Sequence, residues 1–400
     1  MRRKIGCVIA YKKNHNNYGT SLQGYAMLKK IQQFGYEVEV INYVKRLSFI
    51  EKFRIAVSRL RLLGVSGFIK HINKNKMPQD AKYANNLKLR TAAVNAYKEK
   101  KLVPLFRDYV GYNALHNGSK NYDTIVVGSD QVWLPHGLET KFFNLRFVDD
   151  SVRKVAYASS FGVSEIPGFQ KKATAEYLDR FYKIGVREQK GKEIVDGLSK
   201  NTAQVVADPT LLLSREEWEE EINQVISDTT KQNVDMANGT PYIFCYLISP
   251  NEEGRRQAKL LSEKTGLPIV TIRHMEQYRD IDETIGDEAP YSVDPNDFVR
   301  YISRATYVCT DSFHCSVFST IFHRQFMTFY RSSSTDKLAR NSRIDSLFNV
   351  LGINKEHIFD SVQNGGDISK IDNDVDWDLV DCNLDKLRKE SIDFLKSALG

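Results

Sequence analysis

Apolar and polar residues follow each other along the chain in blocks that predict strands and helices in turn. Short apolar runs predict strands, whereas apolar residues three or four positions apart predict helices. The first pair is a strand at residues 4–10 and a helix at about 22–34, and the alternation continues to a strand at 325–330. This pattern predicts an α/β protein with parallel sheets, arranged as two Rossmann-like domains that face a cleft.

One predicted strand-to-helix turn carries a histidine. The strand at 307–309 is followed by Asp311, Ser312 and His314, and apolar residues then recur at helical spacing over 317–322. In an open α/β sheet such a turn lies at the carboxyl edge, where a helix start offers N–H groups and a partial positive charge to an anion. The histidine is therefore a candidate for proton transfer. The alternative is that one of the two preceding residues is an N-cap and the histidine is structural.

Other predicted strands also lead to small polar residues. Gly128, Ser129 and Asp130 follow one apolar strand, and the first predicted strand leads to Asn16 and Asn17. Glycine lets a backbone approach a ligand closely, while amide, hydroxyl and carboxylate groups bind sugar hydroxyls or simply form a turn. Because parallel strands end at one edge of a sheet, these residues are predicted to share a ligand-facing edge.

A short predicted strand at 183–188 contains Arg187 near its end. A guanidinium at that place offers two parallel N–H donors to a carboxylate or a phosphate. The alternative is a simple ion pair with Glu188. No GxGxxG sequence follows the first strand, so a dinucleotide-binding fingerprint is not predicted.

The length of 400 residues predicts more than one domain. Residues 1–227 are predicted to form the first domain, and the polar, patternless stretch 228–239 a linker. Residues 240–375 are predicted to form the second domain. The amphipathic tail 376–400 is predicted to be a helix that packs back on the first domain.

Cysteine usage and hydropathy indicate the compartment. The five cysteines are scattered and include no CxxC pair, which argues against a disulfide framework and a structural metal site. No signal peptide and no apolar stretch long enough to span a membrane is predicted. We therefore expect a cytoplasmic protein that needs neither a metal nor a resident cofactor.

The net charge of +7 is concentrated in one segment. Residues 45–76 contain nine Lys or Arg and a single acid, Glu51, and their apolar residues fall near helical spacing. This predicts a basic amphipathic helix, either in peripheral contact with an anionic membrane at its inner face or simply solvated. Nucleic acid is not an expected partner, since no nucleic-acid-binding motif accompanies the charge.

Several separated motifs together resemble the polysaccharide pyruvyl transferase family. They run in family order and cover about residues 4–350. The motifs are Asn17-Tyr18-Gly19-Thr20-Ser21-Leu22-Gln23-Gly24-Tyr25-Ala26, Val127-Gly128-Ser129-Asp130-Gln131-Val132-Trp133, Ala156-Tyr157-Ala158-Ser159-Ser160-Phe161-Gly162, Val186-Arg187-Glu188, Asp208-Pro209-Thr210-Leu211-Leu212 and Thr310-Asp311-Ser312-Phe313-His314.

This resemblance implies a fold similar to that of GT-B glycosyltransferases, with phosphoenolpyruvate bound between the two halves. It also implies transfer of pyruvyl to two hydroxyls of a sugar in a polysaccharide, such as an exopolysaccharide or a capsule, or in its lipid-linked precursor. The product would be a cyclic ketal. His314 matches the active-site histidine of the family and Arg187 an arginine associated with the donor. The chain departs from the family at Cys315, where glycine is usual.

These observations give a hypothesis for the site. The catalytic residues are His314, for proton transfer or phosphate contact, and Asp311, which would orient the histidine or deprotonate the acceptor. The predicted donor-binding residues are Arg187, Ser312, Phe313, His314, Arg331 and Arg343. The predicted acceptor-binding residues are Asn16, Asn17, Gly128, Ser129 and Asp130.

Two rival functions fit the same architecture. A nucleotide-sugar glycosyltransferase would also use a helix N-terminus, in that case for a diphosphate. A non-catalytic carbohydrate-binding protein would keep the fold but release no phosphate. A ligand that binds only the folded state raises its stability, so a thermal-shift comparison of phosphoenolpyruvate with nucleotide sugars separates the first rival.

Overall fold

The computed structural model describes residues 3–73, 81–224, 240–250, 252–275, 279–331, 341–360 and 367–400. The predicted linker at 228–239 and the last residues of the basic segment, 74–76, lie outside the described residues. The predicted domain limits therefore stay predictions.

The described residues form twelve strands and twelve helices, apart from short 3-10 turns. The strands are β1 Lys4–Val8, β2 Glu37–Val44, β3 Phe106–Val110, β4 Thr124–Val127, β5 Arg153–Ser159, β6 Lys183–Val186, β7 Ala203–Val205, β8 Ile243–Tyr246, β9 Ile269–Thr271, β10 Tyr307–Thr310, β11 Gln325–Phe329 and β12 Ile358–Phe359. The helices are α1 Tyr18–Gln33, α2 Phe49–Asn73, α3 Ala81–Lys101, α4 Tyr112–Ser119, α5 Lys171–Leu178, α6 Gln189–Leu198, α7 Arg215–Ile222, α8 Glu252–Thr265, α9 Pro295–Arg304, α10 Phe313–Ile321, α11 Ser342–Leu351 and α12 Trp377–Leu399.

The strands assemble into two parallel sheets. The first has the order β3-β2-β1-β4-β5-β6-β7 and the second the order β12-β11-β10-β8-β9. In the first sheet the chain order reverses between β1 and β4, and in the second between β8 and β10. These are the reversals of doubly wound α/β sheets, and the prediction of two Rossmann-like sheets is confirmed.

Local sequence explains where several helices begin. The side chain of Asn17 caps α1 by accepting a hydrogen bond from the Thr20 N–H. Ser214 and Glu217 form a capping box at the start of α7. Asp294 and Asp297 form a second capping box at α9.

Apolar packing joins the two sheets below their carboxyl edges. A single cluster of buried side chains contains residues from both halves. The Tyr18 ring of α1 stacks on the Phe298 ring of α9 at 4.7 Å, and Trp218 meets Phe318 edge to face at 5.0 Å. Since the interface is apolar and close-packed, it fixes the distance across the cleft above it.

The chain between α3 and α4 forms a strand that the hydrophobic pattern does not predict. After α3 the chain forms β3, an edge strand of the first sheet. Only Tyr109 of this strand is buried, so the strand lacks the apolar run that identifies the inner strands.

Some absences hold for the described part of the chain. No helix there is long and apolar enough to cross a membrane. No group of three or more His, Cys, Asp or Glu side chains is arranged to hold a metal ion. All five cysteines are free, and only Cys382 is exposed.

Candidate active site

A cleft of about 210 Å³ lies where the carboxyl edges of the two sheets face each other. Its walls include the segments that follow four strands: Asn16 after β1, Asp130 after β4, Ile248 after β8 and His314 after β10. Those strands flank the two positions at which strand order reverses, and ligands of open α/β sheets bind there. This cleft is therefore the candidate active site.

His314 is the second residue of α10, and its side chain is 10% exposed at the cleft. Its Nε2 lies 3.6 Å from Oδ2 of Asp208 and has no hydrogen-bond partner. On its other side the ring packs against Gly19, where an added Cβ would overlap Nδ1 of the imidazole. The second half of the chain thus supplies the imidazole, and the first half holds it in place.

Asp208 is the centre of a buried polar network. Its carboxylate accepts hydrogen bonds from Arg187 Nη1 at 3.0 Å, from Ser129 Oγ at 3.2 Å and from the Thr210 hydroxyl at 2.7 Å. Burial by itself raises the pKa of this carboxyl, but His314, Arg187 and Thr210 together lower the pKa well below its usual range. Asp208 is therefore ionised, and it positions both Arg187 and His314.

Arg187 lies behind the cleft wall and does not line the cleft. Besides its ion pair with Asp208, its Nε lies 3.6 Å from Glu188, and its guanidinium lies 4.9 Å from the ring centre of Phe313. Burial lowers its pKa, but Asp208, Glu188 and Asp130 outweigh burial and raise it. The role of Arg187 as a direct clamp on a donor stays a prediction. The ring of Phe313, which lines the cleft, packs against the Arg187 guanidinium.

Two other predicted arginines do line the cleft. Arg331 donates from Nε to the Asp311 carbonyl at 2.8 Å, and Arg343 lies 5.7 Å from the Phe313 ring on which Arg187 also stacks. Burial and the nearby charges of Arg187 and Arg331 lower the pKa of Arg343 to about 9. The cleft therefore gathers more positive charge than its own acids compensate, as expected for an anion site.

The start of α10 adds backbone donors to this cationic wall. Ser312 is the N-cap residue, but its side chain makes no capping hydrogen bond. Ser312, Phe313 and His314 line the cleft. A helix start without a side-chain cap leaves N–H groups available to an anion.

Asp311 needs a correction to its predicted role. Its carboxylate accepts hydrogen bonds from the backbone N–H groups of Ile248 and Ser249, both at 2.7 Å, and its side chain is fully buried. The residue ties the β10 turn to the segment after β8 and does not line the cleft. The carboxylate that faces His314 is that of Asp208.

The first half contributes three of the predicted acceptor residues to the cleft, namely Asn16, Asn17 and Asp130. Asp130 has a φ of 81° and accepts a hydrogen bond from the Thr20 hydroxyl at 2.7 Å. Burial raises the pKa of its carboxyl, but the charges of Arg187 and His314 outweigh burial and lower it. An uncommon backbone conformation and an ionised, half-buried carboxylate at a cleft are typical of a functional position.

The other two predicted acceptor residues are not on the surface of the cleft. Ser129 is fully buried and donates to Asp208. Gly128 is buried against Met27, whose Sδ would lie 2.9 Å from an added Cβ. Ser129 and Gly128 are small because they pack tightly behind the cleft, and their size does not create space for a ligand.

Sequence reasoning missed four residues that shape this cleft. Gly19 and Asp208 belong to motifs that were noted, but neither received a role. Arg90 of α3 and Arg273 after β9 also line the cleft. Arg90 donates to the carbonyls of three residues in the second half, which are Arg273, Pro290 and Tyr291. No sequence signal identifies such a bridge, because it forms only when the halves pack together.

Cys315 stands where the family resemblance expects glycine. Its side chain is fully buried in the apolar cluster between the halves, and it does not line the cleft. Burial raises the pKa of its thiol. The substitution therefore leaves the surface of the cleft unchanged.

A family model described as polysaccharide pyruvyl transferase matches residues 17–333. The chain belongs to the polysaccharide pyruvyl transferase family. The match extends from the cap of α1 past the end of β11, so it includes every strand that borders the cleft except β1. The family resemblance seen in the sequence is confirmed.

Solved structures of two UDP-GlcNAc 2-epimerases are similar to this one at low sequence identity. The UDP-GlcNAc 2-epimerase of Methanocaldococcus jannaschii has a TM-score of 0.51 and 9% sequence identity, with 92% of this chain and 90% of that chain covered. The UDP-GlcNAc 2-epimerase of Neisseria meningitidis, bound to UDP-GlcNAc, has a TM-score of 0.46 and 8% identity, with 97% and 99% covered.

A structure described as trehalose-6-phosphate from E. coli, bound with UDP-2-fluoro glucose, has a TM-score of 0.46 and 10% identity, with 98% of this chain and 96% of that chain covered. The similarity to the M. jannaschii enzyme, together with the two parallel sheets, confirms the GT-B-like fold of this pyruvyl transferase family member. A search of curated proteins gives no significant match.

Proposed function

We propose that this protein transfers a pyruvyl group from phosphoenolpyruvate to two hydroxyls of a saccharide and forms a cyclic ketal. The observation that carries the proposal is a cationic cleft in which the imidazole of His314 lies at a helix start. Family membership supports a saccharide acceptor in polysaccharide biosynthesis.

The proposed reaction balances without a redox partner or a metal. The methylene carbon of the donor gains a proton and becomes a methyl group. Carbon 2 forms bonds to two acceptor oxygens, and its bond to the phosphate oxygen breaks. One of the two hydroxyl protons replaces the proton given to the methylene carbon, and the other leaves with hydrogen phosphate.

The donor fits the cationic side of the cleft. Phosphoenolpyruvate carries a carboxylate and a phosphate, and Arg331 and Arg343 offer guanidinium groups for such anions. The start of α10 offers backbone N–H groups close by. In this arrangement the Phe313 ring contacts the guanidinium groups of both Arg343 and Arg187 and helps to hold them in place.

His314 is the proposed acid that protonates the methylene carbon. Its imidazole lies at the cleft beside the donor-binding groups, and Asp208 and Gly19 fix its orientation. Protonation by a positioned group contributes roughly 10²–10⁴-fold to a rate. The ionised carboxylate of Asp130 lies on the acceptor side and can accept a hydrogen bond from a sugar hydroxyl.

The test is incubation of the protein with phosphoenolpyruvate and a panel of acceptor glycosides, with phosphate release and product mass as readouts. We expect one acceptor to gain a pyruvyl ketal and to release one phosphate per ketal. The His314→Gln variant should lose on the order of 10²–10⁴ of the rate. His323→Gln is the matched control, because His323 pairs with Asp381 and does not line the cleft.

Three outcomes would contradict the proposal. The first is sugar transfer from a nucleotide sugar with no response to phosphoenolpyruvate, which would indicate a glycosyltransferase. The second is binding of saccharides with no phosphate release for any acceptor, which would indicate a carbohydrate-binding protein. The third, a wild-type rate in His314→Gln, would remove the histidine from the chemistry.

A further inference from the structure

Helix α2 exposes an apolar stripe that nothing in the described structure covers. The exposed fractions are 83% for Phe49, 63% for Phe53, 39% for Leu60 and 45% for Leu63. Their spacings of four, seven and three residues place all four on one face of a helix. The stripe ends at Gly64, where a φ of 65° breaks the helical geometry.

Basic side chains border this stripe on both sides. At 3.6 residues per turn, Lys52 and Arg59 fall directly beside the stripe on one side, and Arg54 and Arg61 fall on the other side, beyond the exposed Ile50. We call these four residues and the four of the stripe the α2 patch. Glu51 does not belong to it. Its carboxylate accepts hydrogen bonds from the N–H and the hydroxyl of Ser48, both at 2.9 Å.

The α2 patch lies on the cleft side of the first sheet. The helix follows the carboxyl end of β2, and it packs against the 3-10 turn Pro135–Thr140, a few residues after Asp130. Ile55 and Leu62, on the face opposite the stripe, are half-buried. The helix is therefore held to the body of the protein by one face while the α2 patch points away from it.

We propose that the α2 patch docks the protein onto an anionic lipid bilayer. An apolar stripe flanked by Lys and Arg is the pattern of a helix that lies in a membrane interface, with its apolar side chains among the lipids and its cations at the anionic headgroups. A second copy of the chain would bring the same four cations against each other, which disfavours self-association through this face. Docking in this way holds the cleft close to the bilayer surface.

The test is co-sedimentation of the full chain with phosphatidylcholine vesicles that contain or lack phosphatidylglycerol. We expect the anionic vesicles to bind the native protein at least about tenfold more tightly, and salt to weaken this binding. Two variants should each lose at least about tenfold in affinity for the anionic vesicles. The first is Lys52→Gln with Arg54→Gln, Arg59→Gln and Arg61→Gln, and the second is Phe49→Gln with Phe53→Gln.

Matched controls separate the patch from general surface properties. Replacing the exposed Lys171, Lys172, Lys386 and Lys389 by Gln removes the same charge elsewhere, and Phe169→Gln removes a side chain that is 52% exposed. Both controls should bind the anionic vesicles like the native protein. Since binding is measured without substrate, the result does not depend on the proposed reaction.

Several results would overturn the membrane proposal. One such result is that the native protein does not bind the anionic vesicles. Another is that the patch variants bind these vesicles as well as the control variants do. A dimer that forms without lipid and is lost in Phe49→Gln with Phe53→Gln would show instead that the face pairs two copies.

Discussion

At the scale of single residues, the position of Gly19 follows from what lies against it. Glycine is a poor helix former, yet Gly19 is the second residue of α1. The imidazole of His314 occupies the space that a Cβ would take. The absence of a side chain thus lets a helix of the first half approach the histidine of the second half.

Gly19→Ala is expected to damage the site more than the fold. The new methyl group would displace the imidazole of His314, and a displacement of about 1 Å at a reacting group costs roughly 10²-fold in rate. Phosphate release from phosphoenolpyruvate with a competent acceptor measures the loss. Thermal unfolding should change little, because alanine favours the helix.

Gly24→Ala in the same helix is the control for this prediction. An added Cβ there would meet Ile9 Cδ1 at 3.4 Å, an ordinary contact. This variant should keep the native rate and be as stable as the native protein, or more so by up to about 1 kcal/mol. Equal rates for the two variants would show that the contact between Gly19 and His314 does not position the imidazole.

The sequence indicates His314 but not its partners, and the reason is physical. The change from a strand period to a helix period can be recognised in one chain segment, so the turn before His314 is visible. Asp208 and His314 are about one hundred residues apart in sequence, and they meet only because the two halves of the chain pack together. Asp311 was the closer candidate in sequence, but its carboxylate is bound to backbone N–H groups.

At the scale of elements, the ends of two strands and the start of one helix bring three guanidinium groups together. Arg187 follows β6, Arg331 follows β11, and Arg343 lies in the first turn of α11. Their mutual repulsion, added to burial, lowers the pKa of Arg343 to about 9. The protonated group is less stable in the folded protein than in the unfolded chain, so folding stability is reduced at any pH below about 9.

Arg343→Gln is therefore expected to stabilise the ligand-free protein at neutral pH and to weaken its response to anions. At pH 7 the charge on Arg343 lowers the free energy of unfolding of the native protein by its full amount. This destabilisation decreases as the pH rises above about 9, because the group then loses its proton in the folded protein. Adding phosphoenolpyruvate should raise the melting temperature of the native protein but raise that of the variant much less.

Arg256→Gln controls for the loss of an arginine, because Arg256 is exposed and pairs with Glu253 on α8. It should leave the response to phosphoenolpyruvate unchanged. A variant Arg343→Gln that is less stable than the native protein and keeps the full thermal shift would show that Arg343 does not serve the anion site.

The elements themselves were predictable to different degrees. Inner strands such as β4 and β10 are apolar on both faces and were recognised from the sequence. The edge strand β3 was missed because one of its faces is solvated. The role of α3 was missed as well. Its Arg90 bridges the two halves of the chain.

At the scale of the whole molecule, α12 connects the end of the chain to the first sheet. It follows β12 of the second sheet, yet its Ser391 hydroxyl accepts a hydrogen bond from the Ala207 N–H, and its Arg388 donates to the Leu211 carbonyl. Phe394 packs against Gly185 of β6, where an added Cβ would lie 2.9 Å from the ring. The helix thus couples the stability of the two sheets.

Phe394→Ala tests this coupling. The side chain is 7% exposed, and its removal leaves a cavity against β6, so we expect a loss of about 3–5 kcal/mol in the free energy of unfolding. Denaturant unfolding should remain one transition with an unchanged slope and a lower midpoint, because the apolar cluster joins the two halves.

Leu379→Ala in the same helix is the control. Leu379 is 46% exposed and should cost less than about 1 kcal/mol. Two separate transitions, with only one of them shifted by Phe394→Ala, would mean that the halves unfold independently and that α12 stabilises the first sheet alone.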